Sequence, residues 1–403
     1  MKTDRTFVSK GFNILLAVFL VLPLLSCSSS SNPVFDPIMA QKLQQSLDSS
    51  VEELEIPGAV IGVRAPNGAT WFGASGYAVL PQLSADASGK AAVAGEEMTT
   101  DRFFHIASVT KTMTATIILQ LVDEGKLGLD QTLDQIIARW FAPGYIDFTI
   151  PYSDTITLRN LLQMRSGMVD SLATQEGATM LAEHPLDQID PVEMLRWSAE
   201  STDPAPYAPD TAFEYCNANF ILQGIIIEQV TGNSYAAEVQ SRLLDPLDLG
   251  DTSVPDTAAM PSPYAHGYLP SGGVVEDLTE SFNPTWGWAA GAIISTAEDL
   301  VKWVTALNDG TMISAETQAE RLRMLPGVIE TWPISYGLGI YDDNGAVGHY
   351  GNYNSFYTSY AMRYAGYDFA VLTNGLTVLH SEPGWHAARE VFWNAVRDIG
   401  IMQ

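Results

Sequence analysis

The chain has 403 residues, 46% of them hydrophobic and 10% aromatic, enough apolar material for a large core divided into two lobes. Its formal charge of −27 excludes nucleic acid as a partner and electrostatic docking on anionic lipid, and reads as a solvated face suited to salty surroundings. The two cysteines, Cys27 and Cys216, cannot build a cysteine zinc site.

In chain order, Lys2, Arg5 and Lys10 form a basic start, and Ile14 to Leu25 an apolar stretch too short to cross a bilayer. Leu24-Leu25-Ser26-Cys27 then resembles the lipobox of bacterial lipoproteins. The resemblance implies a signal peptide over 1–26, lipid on the Cys27 thiol, and a membrane partner reached through that anchor. Residues 27–39, opening with Ser28 to Asn32, read as a polar tether. The implied location is the bacterial cell envelope, facing the periplasm or the exterior. Because Ser28 rather than aspartate follows the cysteine, an outer-membrane position is expected if the cell is Gram-negative.

Ala59 to Arg64, the turn Pro66-Asn67-Gly68 and Ala69 to Phe72 predict a hairpin. The Ala/Gly/Ser-rich stretch from Leu80 to Thr100 reads as a mobile loop. Ala115 to Val122 is apolar nearly all round and predicts a buried helix stopped at Gly125, with Ser108 at the N-cap. Thr157 caps a short helix through Leu158, Leu161 and Leu162, and Asn217 to Val230 is a long apolar helix stopped at Gly232. Ser295-Thr-Ala-Glu298 has the form of a capping box, opening a helix that ends at Gly310. Phe356 to Tyr364 alternates as a strand, turns at Ala365-Gly366, and returns as Tyr367 to Thr373. Trp385 to Ile399 is a last helix. Strands at both ends with helices between predict an α/β (α+β) fold: one antiparallel sheet built by the two chain ends, flanked by helices, with a mostly helical lobe inserted. The expected division of residues 40–403 is an α/β lobe at about 40–120 and 290–403 and a helical lobe at about 121–289.

Several chemistries fail for want of their residues. No G-x-S-x-G elbow occurs, and His380 and His386 stand six apart rather than at the spacing of a zinc-binding helix. Gly337-Leu-Gly339 lacks the third glycine of a dinucleotide loop, and no phosphate-binding G-x-x-x-x-G-K is present, so no cofactor and no metal are expected. What remains is Ser108-x-x-Lys111 at the start of the buried helix. A capping box calls there for Glu or Gln, because the helix N-terminus favours an anion. A lysine at that point lies against the serine hydroxyl, and burial beside the positive helix end lowers its pKa. A partly deprotonated amine beside a hydroxyl can take its proton, which makes Ser108 a candidate nucleophile.

Tyr215-Cys216-Asn217 and His349-Tyr350-Gly351 follow at wide separations. S-x-x-K, Y-x-N and H-x-G in this order resemble the serine β-lactamase/penicillin-binding superfamily, in the branch of class C β-lactamases, D-alanyl-D-alanine carboxypeptidases and related esterases. "IPGAVIGV" (56–63), "LVDEGKLGLD" (121–130), "ITLRNLLQMRSGM" (156–168) and "GAIISTAEDL" (291–300) extend the likeness over most of the chain. The resemblance implies a β-lactamase/transpeptidase-like fold and an acyl-enzyme on Ser108. Proton transfer is shared by Lys111 and Tyr215, with the acylation base left open between them. Asn217 would donate to a substrate carbonyl, the backbone N–H groups of Ser108 and Asn352 would form the oxyanion hole, and His349, Tyr350 and Gly351 would line the site. Cys216 reads as a buried filler.

Tyr350 departs from the small hydroxyl residue usual between histidine and glycine, which puts recognition of a substrate carboxylate in doubt; Arg321 or Arg323 is the candidate to restore it. Tyr207, Trp286, Trp288 and Tyr353 are candidate aromatic lining. The expected activity is an extracytoplasmic serine hydrolase cleaving an amide or ester of a small molecule or peptide, as an esterase or D-amino-acid peptidase. The alternatives are a β-lactamase or D-alanyl-D-alanine carboxypeptidase and, from another class, a non-catalytic scaffold of the same fold.

Overall fold

The computed structural model describes residues 33–81, 94–202, 207–271, 274–329, 332–375 and 386–402. The leader, Cys27, the first part of the tether, the middle of the 80–100 loop and His380 therefore lie outside the described residues. The first helix, α1 (Pro37–Glu53), opens inside the stretch expected to be tether. Asp36 caps it, its side chain accepting the backbone N–H groups of Ile38 and Met39, and Pro37 fits the first helical position, where no amide is needed.

Among the described residues the sheet has nine strands: β1 (Gly58–Arg64), β2 (Thr70–Val79), β3 (Glu96–Glu97), β4 (Leu325–Ile329), β5 (Trp332–Tyr336), β6 (Tyr341–Asp343), β7 (Ala346–Tyr353), β8 (Tyr357–Tyr364) and β9 (Tyr367–Thr373). Their spatial order is β3-β2-β1-β9-β8-β7-β6-β5-β4, and every pairing is antiparallel. The two chain ends meet at β1 and β9, with Ala59 opposite Thr373 and Arg64 opposite Asp368. The expected sheet is thus present, and the expected hairpin and C-terminal strand pair lie at its centre. These central strands are buried on both faces, which is why they read as near-continuous apolar runs.

Two layers of helix cover the sheet. Phe369 of β9 packs on Phe392 of the C-terminal helix α6 (Ala387–Asp398), with ring centroids 5.1 Å apart. The neighbouring Asp368 accepts from Thr305 of α5 (Ala297–Asp309) at 2.7 Å. Successive residues of a strand point to opposite faces, so α6, which packs with α1, lies on one face and α5 on the other. α5 is capped by Thr296, which accepts from Asp299, and not by Ser295 as the box pattern predicted; Ser295 lies in a short strand paired with Phe104, and its hydroxyl meets that of Thr252 at 2.8 Å. Gly310 ends α5 in the left-handed conformation, as expected.

Behind α5 lie two long helices, α2 (Thr110–Asp123) and α3 (Ala218–Thr231), with the short α4 (Trp288–Gly291) packed on both. α2 is buried almost throughout, as its all-round apolar pattern predicted. Its threonines bond inward, Thr114 to the Ala289 carbonyl at 2.7 Å and Thr112 accepting from the Trp303 indole at 2.8 Å. No helix among the described residues is long and apolar enough to cross a membrane.

One contact joins the sheet to the start of α2. A Cβ on Gly351 of β7 would stand 2.1 Å from the Ile106 carbonyl oxygen and 2.4 Å from Ser359 Oγ, and Ser359 donates to that same carbonyl at 2.7 Å. Only a residue without a side chain lets β7 lie this close, and the obstructing oxygen belongs to backbone that cannot step aside. Gly351→Ala is expected to lower stability by about 1–3 kcal/mol, measured by denaturant unfolding, and to separate β7 from the segment it touches.

Candidate active site

Ser108 does not cap α2. It sits in a 3₁₀ turn, Ala107–Val109, with α2 starting at Thr110 and no side-chain cap at that end. Its hydroxyl instead meets Lys111 Nζ at 2.8 Å, so the i, i+3 spacing does what the sequence predicted while the cap does not form. Ala107 holds φ +47°, a left-handed conformation that costs a non-glycine residue about 1–3 kcal/mol. Its neighbours hold it there: Ile106 O is fixed by Ser359 Oγ, and Gly351 abuts Ile106 and Ala107. The residue following each of these two segments is a proposed oxyanion donor, Ser108 on one and Asn352 on the other. One step further out, His105 and Tyr353 stack face to face, with centroids 4.2 Å apart and planes within 1°.

Lys111 is fully buried. Its Nζ reaches Ser108 Oγ at 2.8 Å, Asn217 Oδ1 at 2.8 Å and the Ala290 carbonyl of α4 at 2.7 Å. It also lies 4.9 Å from the centre of the Tyr215 ring. Burial draws its pKa from the ordinary 10.5 to about 7, opposed by the charge of Asp170. Ala290 O and Asn217 Oδ1 can only accept, so they hold two N–H bonds of a neutral amine and leave its lone pair facing the Ser108 hydroxyl. The arrangement orients a base at a nucleophile.

Asn217 immediately precedes α3, whose far end is closed by Gly232 in the left-handed conformation, as expected. His349 is buried on β7, its Nε2 3.1 Å from the Tyr336 hydroxyl and its Nδ1 2.6 Å from the Tyr350 carbonyl. The carbonyl requires the proton on Nδ1, which leaves Nε2 to accept from Tyr336. Burial and the charge of Lys111 push its pKa down to about 3, so it is neutral. Both ring nitrogens of His349 are thus engaged within the protein, and its ring stands 6.3 Å from that of Tyr215. Gly351 acts through the close approach of its backbone, and Tyr350 is buried against His386, 4.7 Å between ring centres, and lies 6.3 Å from Tyr215. Cys216 is buried with its thiol pKa raised by desolvation, as a filler should be.

Neither candidate arginine lies at the third motif. Arg321 is buried against Thr116 of α2, and Arg323 is exposed and paired with Glu320. Among the proposed lining aromatics, Trp286 stacks on Trp197, Trp288 packs on Tyr235, Tyr353 is held by His105, and Tyr207 reaches the Met164 carbonyl.

With this geometry in view, the comparisons are decisive. The family model described as Beta-lactamase matches residues 39–391. The chain belongs to the beta-lactamase family. Penicillin-binding protein 4 of Amycolatopsis lactamdurans is 27% identical over 271 residues, covering 63% of this chain and 67% of that protein. Protein flp of Staphylococcus aureus (strain NCTC 8325 / PS 47) is 26% identical over 245 residues, a match that spans 60% of this chain but only 46% of flp. Among solved structures, D-stereospecific amidohydrolase from Streptomyces sp. superposes with TM-score 0.73 at 26% identity, over 90% of this chain and 99% of that one. D-amino acid amidase from Ochrobactrum anthropi SV3, complexed with D-phenylalanine, gives TM-score 0.74 at 26% identity, over 91% and 100%. Membership in this family, with these neighbours, identifies a serine hydrolase.

Sequence reasoning missed Asp170, the Ala290 carbonyl and Tyr336. The carbonyl has no side-chain signature, and Tyr336 lies on a strand the pattern did not reveal. Asp170 shows itself only through the contact it makes across the fold with the Asn217 amide. For a family member using a buried amine as base, activity requires neutral Lys111. The profile of kcat/KM against pH is expected to fall on the acid side with a midpoint near 7, the value to which burial draws the lysine. Lys111→Arg, which stays protonated, should abolish turnover across the range.

Proposed function

We propose that the protein hydrolyses amides or esters of D-amino acids with neutral leaving groups, through an acyl enzyme on Ser108. The observation that carries this is the Lys111 network: a buried amine anchored by two acceptors, with its remaining position 2.8 Å from the Ser108 hydroxyl. Lys111 takes the proton as Ser108 Oγ bonds to the acyl carbon, and returns it to the departing amine or alcohol. Water then attacks the acyl enzyme by the same route in reverse. The backbone N–H groups of Ser108 and Asn352 receive the developing oxyanion. Asn217 Oδ1 is taken by Lys111, which leaves Nδ2 to donate to the substrate.

Two points favour neutral substrates over peptides ending in a free carboxylate. At the third motif His349 is uncharged and spent, and Arg321 and Arg323 are engaged elsewhere, so a buried carboxylate would stay unpaired at a cost of several kcal/mol. The structural neighbours named for D-amino acid amides point the same way. The same reading keeps Cys27 as the lipid-bearing residue and the cell envelope as the place of action, supported by the leader pattern.

A fluorescent phosphonate should label the wild type and not Ser108→Ala, and Ser108→Ala should lose at least about 10⁴-fold in kcat. The wild type should favour a D-amino acid amide or p-nitrophenyl ester over a D-alanyl-D-alanine peptide and nitrocefin in kcat/KM. Labelling that persists in Ser108→Ala removes the nucleophile, and a preference for the peptide removes the argument from the third motif. For location, Cys27→Ser is expected to move the protein from the membrane pellet to the soluble fraction of expressing cells; retention in the pellet refutes the single anchor.

A further inference from the structure

Asp170 lies between the helices Leu158–Leu162 and Gln175–Glu183, in a segment no motif assigns. Its Oδ2 accepts the backbone N–H of Asn217 at 2.5 Å, and its Oδ1 accepts that of Leu172 at 3.0 Å. It therefore holds the entry to α3, the stretch that carries Tyr215, Cys216 and Asn217. Among the described residues no lysine, arginine or histidine forms an ion pair with it, whereas the buried Asp343 is paired with Arg389. The cation its charge does act on is Lys111, where it opposes the effect of burial.

The groups facing Lys111 come from every element packed around it. Its own segment contributes Ser108, and the entry to α3 contributes Tyr215, Cys216 and Asn217. α3 adds the Phe220 ring, α4 the Ala290 carbonyl, and β7 the neutral His349. Among the described residues, Asp170 is the carboxylate whose charge acts on this cluster. We propose that Asp170 is a positioning residue with two separable effects: its two oxygens set the geometry in which Asn217 and Tyr215 meet Lys111, and its charge sets the protonation balance of that cluster. The proposal rests on Lys111 acting as the proton acceptor. The sign follows from electrostatics, since a nearby anion favours the ammonium, and removing it favours the neutral amine.

The test is the pH profile of kcat/KM for a p-nitrophenyl ester between pH 5 and 9, with melting temperature and phosphonate-titrated active fraction as controls. Asp170→Asn keeps the shape and removes the charge, so the acid-side midpoint should move to lower pH by roughly half a pH unit or more. Activity at pH 5.5 should then be a larger fraction of the plateau than in wild type. The plateau itself should fall, because one amide oxygen replaces two carboxylate oxygens for two N–H donors. Asp170→Glu keeps the charge and displaces it, so its midpoint should stay at the wild-type position while its plateau falls. If Asp170→Asn does not fold, Asp170→Ser, which retains a capping hydroxyl, repeats the charge removal. A midpoint unmoved in the neutral variants, with plateaus lowered alike in all, would reduce Asp170 to a cap and overturn the proposal. A wild type that neither labels nor turns over ester at any pH overturns the reading of Ser108 and Lys111 together with this one. The wild-type control tells the two failures apart.

Discussion

The site depends on keeping one amine out of water while every bonding position it has is met. Lys111 Nζ is enclosed by acceptors from three separate pieces of chain: the turn that carries Ser108, the entry to α3, and α4. Leaving a buried donor without its acceptor costs about 1–3 kcal/mol, so these pieces are held in register more firmly than by a typical surface contact. The same enclosure supplies the chemistry. Desolvation makes the ammonium expensive and the free amine available near neutral pH, and the ring of Tyr215 closes one side without adding a formal charge at that face. Stability and reactivity are therefore drawn from one set of contacts, in which burial is tolerated because every donor is satisfied.

A second constraint acts on the serine. Left-handed backbone at Ala107 is unfavourable alone, and it is maintained from outside by Ser359, by the close passage of Gly351, and by the stacked rings of His105 and Tyr353. Strain in the turn that presents the nucleophile is thus offset by a well-packed sheet edge rather than by the turn itself. This arrangement gives the third motif a different meaning from the one its letters suggest. His349 and Gly351 shape the strand and bring it close, while the polar capacity of His349 is absorbed by Tyr336 and by its own neighbour's carbonyl.

Legibility followed locality. Elements whose signals are contained in a few neighbouring residues were readable: the Ala59–Phe72 hairpin, the all-round apolar α2, α3 with its terminal Gly232, and the strand pair ending at Thr373. β4 to β6 were not, because Leu325-Pro326-Gly327 breaks the strand pattern and these strands are defined by their partners along the sheet. At the site, Ser108 and Lys111 were readable because i, i+3 spacing is a local fact. The cap assigned to Ser108 was not kept, since a hydroxyl already bonded to an ammonium is not available to a helix amide. A similar competition moved the cap of α5 from Ser295 to Thr296, since the Ser295 hydroxyl is bonded to that of Thr252. Asp170 and Ala290 enter through contacts across the fold, which no window of sequence contains.

The pairing of β1 with β9 has a consequence for how the molecule comes into being. Ala59 finds Thr373 only when almost the whole chain is available, and β7, which flanks the serine, is fastened to β8 and through it to β9. Closing so long a loop is entropically costly and slow compared with forming α2 or α3, whose contacts are local. The helices can form while the chain is still emerging, yet the turn at Ala107 has nothing to brace it until the last strands arrive. Nascent chains and C-terminally shortened ones would carry the serine and lysine in sequence but not the reactive pair. The topology thus acts as a delay, withholding the braced serine–lysine pair until β8 and β9 have been made.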